Sequence, residues 1–321
     1  MFRLSRRQVL IGSALAPLAA HAARYPDRPI RVIVPYTAGG LAETIMRMLA
    51  VSMEARLGQK LVIEAKPGAA GNIGTQEVAR ADPDGYEILV AATNNFVINQ
   101  FLLKMSFDPL TALTPIAKVA DVPLVLFSNP SVPARTLPEF IAYARAHPGE
   151  LNYGTPSVGT VNHLLIERLK QTTGIELTHV PYKGSPEALL ALLKNDIQLF
   201  PIGLSIGMGH LREGKLTALA VAAGQRLRMI PGVPTMSEAG FPGFTASNWW
   251  GMAGPAGTPD DVADTLHKAV TEALATQPVT ARFLEMGMLA PEITRQQFAA
   301  SLKAEAALWS ETIARGHIKI D

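Results

Sequence analysis

From Asp27 onward, short apolar runs alternate with stretches in which apolar residues recur every three or four positions. Runs of the first kind read as buried strands and stretches of the second kind as amphipathic helices, so the alternation predicts an α/β fold. Ile30–Val34 reads as the first strand. Ile45, Met48, Leu49, Met53 and Leu57 then keep one helix face until Gly58 ends it. Leu61-Val62-Ile63 is the next strand, followed by the glycine-rich KPGAAGNIGTQE and a short helix to Arg80. Glu87–Ala92 is a third strand, entered through an Asp-Pro-Asp-Gly turn.

The middle of the chain repeats this logic. Val122–Phe127 is an apolar run whose Pro123 suits an edge or a crossover better than a sheet interior. Thr136 opens a helix to about His147, Leu151–Thr155 is a strand, and a helix covers Thr160–Thr172. Ser185 reads as a cap followed by Pro186 at the first helical position, and Ile197–Phe200 and Leu216–Val221 are further strands. Residues 224–243 are loop-like. Thr258 reads as the cap of a helix led by Pro259, Asp260 and Asp261. A last helix runs from near Thr294 to Arg315, with Phe298, Leu302, Ala306, Trp309 and Ile313 on one face. With no repeat and no Gly/Ser tether, two α/β units joined by crossing strands, with a cleft between them, fit best.

Composition then narrows the classes of function. There is no cysteine, which excludes disulfides, thiolate metal sites and a cysteine nucleophile. Residues 1–22 read as an export signal: Arg6-Arg7, the apolar stretch Val9–Ala20 and Ala20-His21-Ala22. The apolar stretch is too short to cross about 30 Å of hydrocarbon, and Ser5–Leu10 resembles the twin-arginine motif. Losing its three arginines takes the formal charge from +2 to −1, so nothing electrostatic calls for nucleic acid or stable membrane insertion. The seven histidines lack metal-ligand spacing, and no cofactor is expected.

Three turns carry candidate chemistry. YTAGGLAE (36–43) and PGAAGNIGT (67–75) both lead from strand to helix with glycine at the exposed end. Glycine lets amide N–H groups point outward, and a helix N-terminus adds about half a positive charge, so two such turns can hold an anion without Lys or Arg. GTPSVGT (154–160) is a third, with Ser157 and Thr160 as hydroxyl donors. The absence of GKS and GxGxxG favours a carboxylate over a nucleotide phosphate. A rival reading is a serine hydrolase: Gly203-Leu204-Ser205-Ile206-Gly207 fits G-x-S-x-G, with Asp264, His267 and His317 downstream.

The order and spacing of YPDRPIRVIVPYTAGGLAE, PGAAGNIGTQEVARADPDGY, LNYGT, HVPYKGS, GKLTALAV, PGVPTMSEAGFPG and GPAGTP resemble the Bug family of periplasmic solute-binding proteins, receptors of tripartite tricarboxylate transporters. The resemblance implies a two-domain Venus-flytrap fold, with lobe 1 formed by 23–124 plus 250–321 and lobe 2 by 125–249. It implies a carboxylate ligand in the cleft, a monomer, and a permease partner, with a sensor kinase as the alternative. It maps ligand contacts onto Tyr36, Thr37, Ala38, Gly39 and Gly40, onto Asn72, Thr93 and Asn94, onto Ser157 and Thr160, and onto the loop of Ile202 and Gly203. The family often has Asp where Ile202 stands, and Thr37, Ala38, Leu41, Ala42 and Glu43 also depart from its pattern. Ile202 and Leu41 together favour a less polar acid over an amino acid.

Overall fold

A computed structural model of the chain describes residues 25–320. The expected export signal lies outside the described residues. In the first unit, β1 (Ile30–Val34), β2 (Leu61–Ala65) and β3 (Glu87–Ala92) run parallel, with Val34 beside Ala65 in register. Helices α1 (Leu41–Leu57) and α2 (Asn72–Ala79) follow β1 and β2, and three short helices follow β3: α3 (Thr93–Val97), α4 (Asn99–Leu102) and α5 (Pro109–Ala112). Gly58 ends α1 in a left-handed conformation (φ 69°), the position where glycine alone has no steric penalty.

The 16-residue strand β4 (Leu113–Ser128) leaves this sheet and enters a second one. The second unit continues with α6 (Leu137–Ala146), β5 (Leu151–Thr155), α7 (Val161–Thr173), β6 (Leu177–Pro181), α8 (Ser185–Lys194), β7 (Leu199–Gly203), α9 (Leu204–Arg212) and β8 (Thr217–Val221). β5 is parallel to β6 and β7, whereas β4 is antiparallel to β7 and β8. Strand β9 (Ser247–Pro255) returns to the first sheet between β3 and β4, and α10 (Asp260–Leu274), α11 (Gln277–Glu285) and α12 (Arg295–Arg315) close the chain.

The crossover is sharply located. Up to Pro123, which faces Ser247, β4 pairs with β9; from Leu124 it pairs with β7 and β8. Pro123 has no N–H to give, and it sits where the partner changes. Thr136 caps α6 through a full capping box with Glu139. Two expected caps are corrected. Gly184, not Ser185, precedes the first helical residue of α8, and the Thr258 hydroxyl donates to the Pro255 carbonyl instead of capping α10.

The core lies in three clusters. One packs α1 and α10 on the first sheet, and another packs α8 and α9 on the second. A third runs through both units beneath α12, whose Phe298, Leu302, Ala306, Trp309 and Ile313 are all buried. Phe298 meets Phe96 and Trp249 edge-on, with centroids 6.3 and 5.6 Å apart, while the Thr312 carbonyl accepts from Gln171 of α7. Helix α12 thus braces both units across the crossing strands. No helix among the described residues is long and apolar enough to cross a membrane.

Candidate functional site

Parallel strands place their carboxyl ends, and the helix N-termini that follow, at one edge of a sheet; open α/β sheets bind ligands there. In the first unit these ends are Tyr36–Gly40, Pro67–Gly71 and Thr93–Asn95. A side-chain network joins them. The Tyr36 hydroxyl accepts from the Ala92 N–H (2.7 Å) and donates to Asn95 Oδ1 (2.6 Å). Asn95 Nδ2 donates to the Ala70 carbonyl at 3.0 Å, and Asn99 Nδ2 donates to the same carbonyl (3.2 Å) and to Asn72 Oδ1 (2.9 Å). Burial raises the Tyr36 phenol well above its ordinary pKa, against the lowering influence of the Ala92 N–H, so it works as a neutral hydrogen-bonding hub.

The turn held by this network is unusual. Gly68, Ala69, Ala70 and Gly71 all have positive φ (134°, 46°, 54° and 87°). Each alanine costs about 1–2 kcal/mol in that region. Strain of this kind gathers where a site requires a particular backbone shape. Nor could Gly71 carry a side chain, because a Cβ there would lie 2.6 Å from Asn95 Nδ2.

The first turn is more self-sufficient than expected. The Gly39 N–H donates to Glu43 Oε2 at 2.8 Å, and Arg47 clamps Glu43 Oε1 through two nitrogens. The Gly39 amide first, then Arg47, hold the Glu43 carboxyl below the ordinary range. One amide of this turn is therefore answered by the chain's own carboxylate. Thr37, Ala38 and Gly39 are exposed beside it, and no side chain caps α1 at Gly40 or α2 at Gly71. First-turn amides at the α1 entrance are available to an anion, whereas at the α2 entrance the Asn72 N–H turns back to the Ala69 carbonyl and the Ile73 N–H to the Gly68 carbonyl.

In the second unit the matching end is the Pro156–Thr160 turn. Thr160 caps α7 by accepting from the His163 N–H (3.4 Å) and donates to the Ser157 carbonyl (3.0 Å), while Ser157 itself is exposed. Asn94 Nδ2 crosses between the units and donates to the Gly159 carbonyl at 3.1 Å. That bond sets the β3 and β5 turns against one another. Nearby, Asn162 donates to the Pro201 carbonyl (2.6 Å) and Asn248 of β9 donates to Asn162 (3.3 Å).

Not every expected residue faces this gap. Thr93 is 1% exposed, and its hydroxyl both accepts from the Trp249 N–H (2.9 Å) and donates to the Trp249 carbonyl (3.1 Å). Ile202, also 1% exposed, packs with Val125, Phe127 and Leu192 inside the second unit. Strand alternation turns it toward that core and not toward the exposed turns. Gly203 is the uncapped entrance to α9, and a Cβ there would meet Val122 at 2.7 Å. Leu41 remains a rim residue, 37% exposed at the start of α1. Sequence reasoning missed Asn95, Asn99, Asn162 and Asn248; the asparagines of TNNFVINQ, directly after an apolar strand, were the available signal.

The hydrolase constellation is not assembled. Ser205 is the second residue of α9 and lacks the strained backbone of a nucleophile elbow. Asp264 is paired with Arg295 (2.9 Å), and His267 Nδ1 meets the Ile116 carbonyl (2.8 Å).

Two lobes on crossing strands, with capless helix entrances and a cross-lobe bond at one gap, define a solute-binding receptor of the two-lobe periplasmic-binding-protein class. Residues 45–316 match the model of the tripartite tricarboxylate transporter family receptor, and the chain belongs to that family. A UPF0065 protein of Bordetella pertussis is 37% identical over 290 residues, 90% of each chain. Among solved structures, the periplasmic binding protein BugD is 32% identical with a TM-score of 0.71, covering 92% of this chain and 99% of its own. An R. palustris protein solved with adipate is 32% identical (TM-score 0.74, coverage 92% and 99%). MatC from Rhodopseudomonas palustris, with bound malate, is 31% identical (TM-score 0.71, coverage 90% and 100%).

Proposed function

We propose that this receptor captures a small organic carboxylate between lobe 1 (23–124 plus 250–321) and lobe 2 (125–249), performs no chemistry on it, and delivers it to a membrane permease from the periplasm as a monomer. The observation that supports the reading is the Asn94–Gly159 hydrogen bond, which joins the start of α3 in one lobe to the Ser157–Thr160 turn of the other. The ligand carboxylate lies on amides of Tyr36–Gly40 and of the α1 entrance, with Asn72 beside it. Asn94, Ser157 and Thr160 close on it from the rim and the second lobe. Thr93 and Gly203 shape the gap through the backbone, and Leu41 favours a ligand with an apolar body. Ligand bridging both lobes draws the hinge toward the closed state in proportion to its preference for that state. The adipate and malate complexes of the two R. palustris relatives support the ligand class.

Isothermal titration of the purified mature protein with adipate, malate and glutamate tests this. Saturable binding of a dicarboxylate, weakened in Asn94→Ala and Gly39→Val, is the expected result. No binding of any acid, together with no acid released from natively purified protein, overturns it.

A further inference from the structure

Directly beneath the Ser157–Thr160 turn lies a stack of three rings that ligand capture, as described so far, does not use. His163 of α7 and His179 of β6 are parallel within 14° with centroids 3.9 Å apart, and Tyr153 of β5 covers His179 at 4.8 Å. Hydrogen bonding fixes the protons. His163 Nδ1 accepts from the Gly159 N–H at 3.1 Å, so its own proton is on Nε2. The Thr155 hydroxyl donates to the Ser157 carbonyl (2.9 Å), so its 2.7 Å contact with His179 Nε2 has the histidine as donor. The two rings thus hold both flanks of one turn: the Gly159 amide directly, and the Ser157 carbonyl through Thr155.

Gly159 is also the residue whose carbonyl receives Asn94 from the other lobe. We propose that His163 and His179 are positioning residues for ligand capture: as a stacked neutral pair they set the Ser157–Gly159 turn for the cross-lobe bond, and acid releases it. The proposal rests on the reading that this turn lines the ligand gap. The charged groups facing the pair are Glu167 and Lys170, both on α7. Burial would raise the Glu167 carboxyl, but Lys170 (2.7 Å) and the Tyr153 hydroxyl (2.5 Å) hold it below the ordinary range. Burial foremost pushes both histidines down to about 4, with Lys170 adding to it and Glu167 opposing. A proton on His163 removes the acceptor for Gly159, and a second imidazolium stacked against the first is opposed by like charge.

The test uses the mature protein and two readouts. Without ligand, imidazole nitrogen NMR spectra at pH 7 should show both rings as neutral Nε2–H tautomers, and the Gly159 amide should shift as His163 titrates. With adipate, whose own carboxyls protonate near pH 4–5, the informative quantity is the contrast with His163→Asn, whose Oδ1 can replace Nδ1 as acceptor without titrating. Wild type should lose only about 1.3-fold more affinity than His163→Asn between pH 7.5 and 4.5, and about tenfold more by pH 3. Should that variant fail to fold, His179→Gln, which keeps a donor toward Thr155, takes its place with the same expectation. A charged or Nδ1–H histidine at pH 7, an unmoved Gly159 amide, or parallel pH profiles would each overturn the proposal. If neither adipate nor malate binds, the ligand reading fails, and the Gly159 and imidazole spectra still decide whether the histidine pair controls the turn.

Discussion

Thr93→Val separates two roles that the sequence alone confounds. The β3 ladder ends at Ala92, opposite Trp250, and the next residue turns into α3. Trp249 of β9 would then have no strand residue to pair with on that side. The Thr93 hydroxyl takes that place, serving the Trp249 N–H at 2.9 Å and its carbonyl at 3.1 Å, with both residues 1% exposed. Valine keeps the shape and removes both bonds. Each buried backbone group left without a partner costs about 1–3 kcal/mol, so a loss of about 3 kcal/mol is expected. Thr93→Ser keeps the hydroxyl and loses one methyl, for about 1 kcal/mol.

Urea unfolding followed by tryptophan fluorescence gives the comparison, with hydrogen exchange at the Trp249 amide as a local readout that does not assume the two lobes unfold together. A Thr93→Val protein within about 0.5 kcal/mol of wild type, with unchanged Trp249 exchange, would refute the ladder-replacement argument. If stability were unchanged but dicarboxylate binding were lost, the hydroxyl would belong to the ligand and not to β9.

Tyr36→Phe removes the acceptor for the Ala92 N–H and the donor to Asn95; chemical denaturation should show a loss of about 1–3 kcal/mol, and titration a weaker ligand complex. Gly71→Ala places a Cβ against Asn95 at φ 87°, so ligand affinity should fall further than the roughly 1–2 kcal/mol of backbone strain explains, as read by calorimetry beside denaturation. For Glu305, whose Oε2 accepts from the Trp249 indole at 2.9 Å, burial raises the carboxyl above its ordinary range, with the Trp249 bond and Lys118 opposing. The native state then holds this proton more tightly than the unfolded chain, so its contribution to stability falls as pH rises from the unfolded value through the folded one. Glu305→Gln can still accept the indole bond and should melt higher than wild type at pH 8 but not at pH 4; equal melting temperatures at pH 8 would count against that sign.

Elements whose own residues carry the pattern were legible in the sequence: β1, β3 and β5 have the bounds expected of them, and the α12 face is the one buried. The missed elements share a different physics. Strand β9 (SNWWGMAGP) has no β-branched residue, yet it lies inside the first sheet between β3 and β4, where Gly251 leaves room for Phe298, whose ring would be 2.7 Å from a Cβ there. Helix α9 contains Gly207 and Gly209, poor helix formers, and Gly207 lies equally close to Phe127. In both, the absence of a side chain reads locally as loop and acts tertiarily as a socket for an aromatic ring from elsewhere in the chain. The site follows the same rule. Its glycine-bearing turns could be found one at a time, but the Tyr36–Asn95–Ala70 network that fixes their spacing joins residues up to 59 positions apart. Ile202 shows the converse: its position along the chain suggested a ligand contact, while strand alternation, set by pairing with β4, turned it into the core. A chain of this kind therefore announces its amide-bearing turns locally, whereas which side chains stand beside them is selected by register.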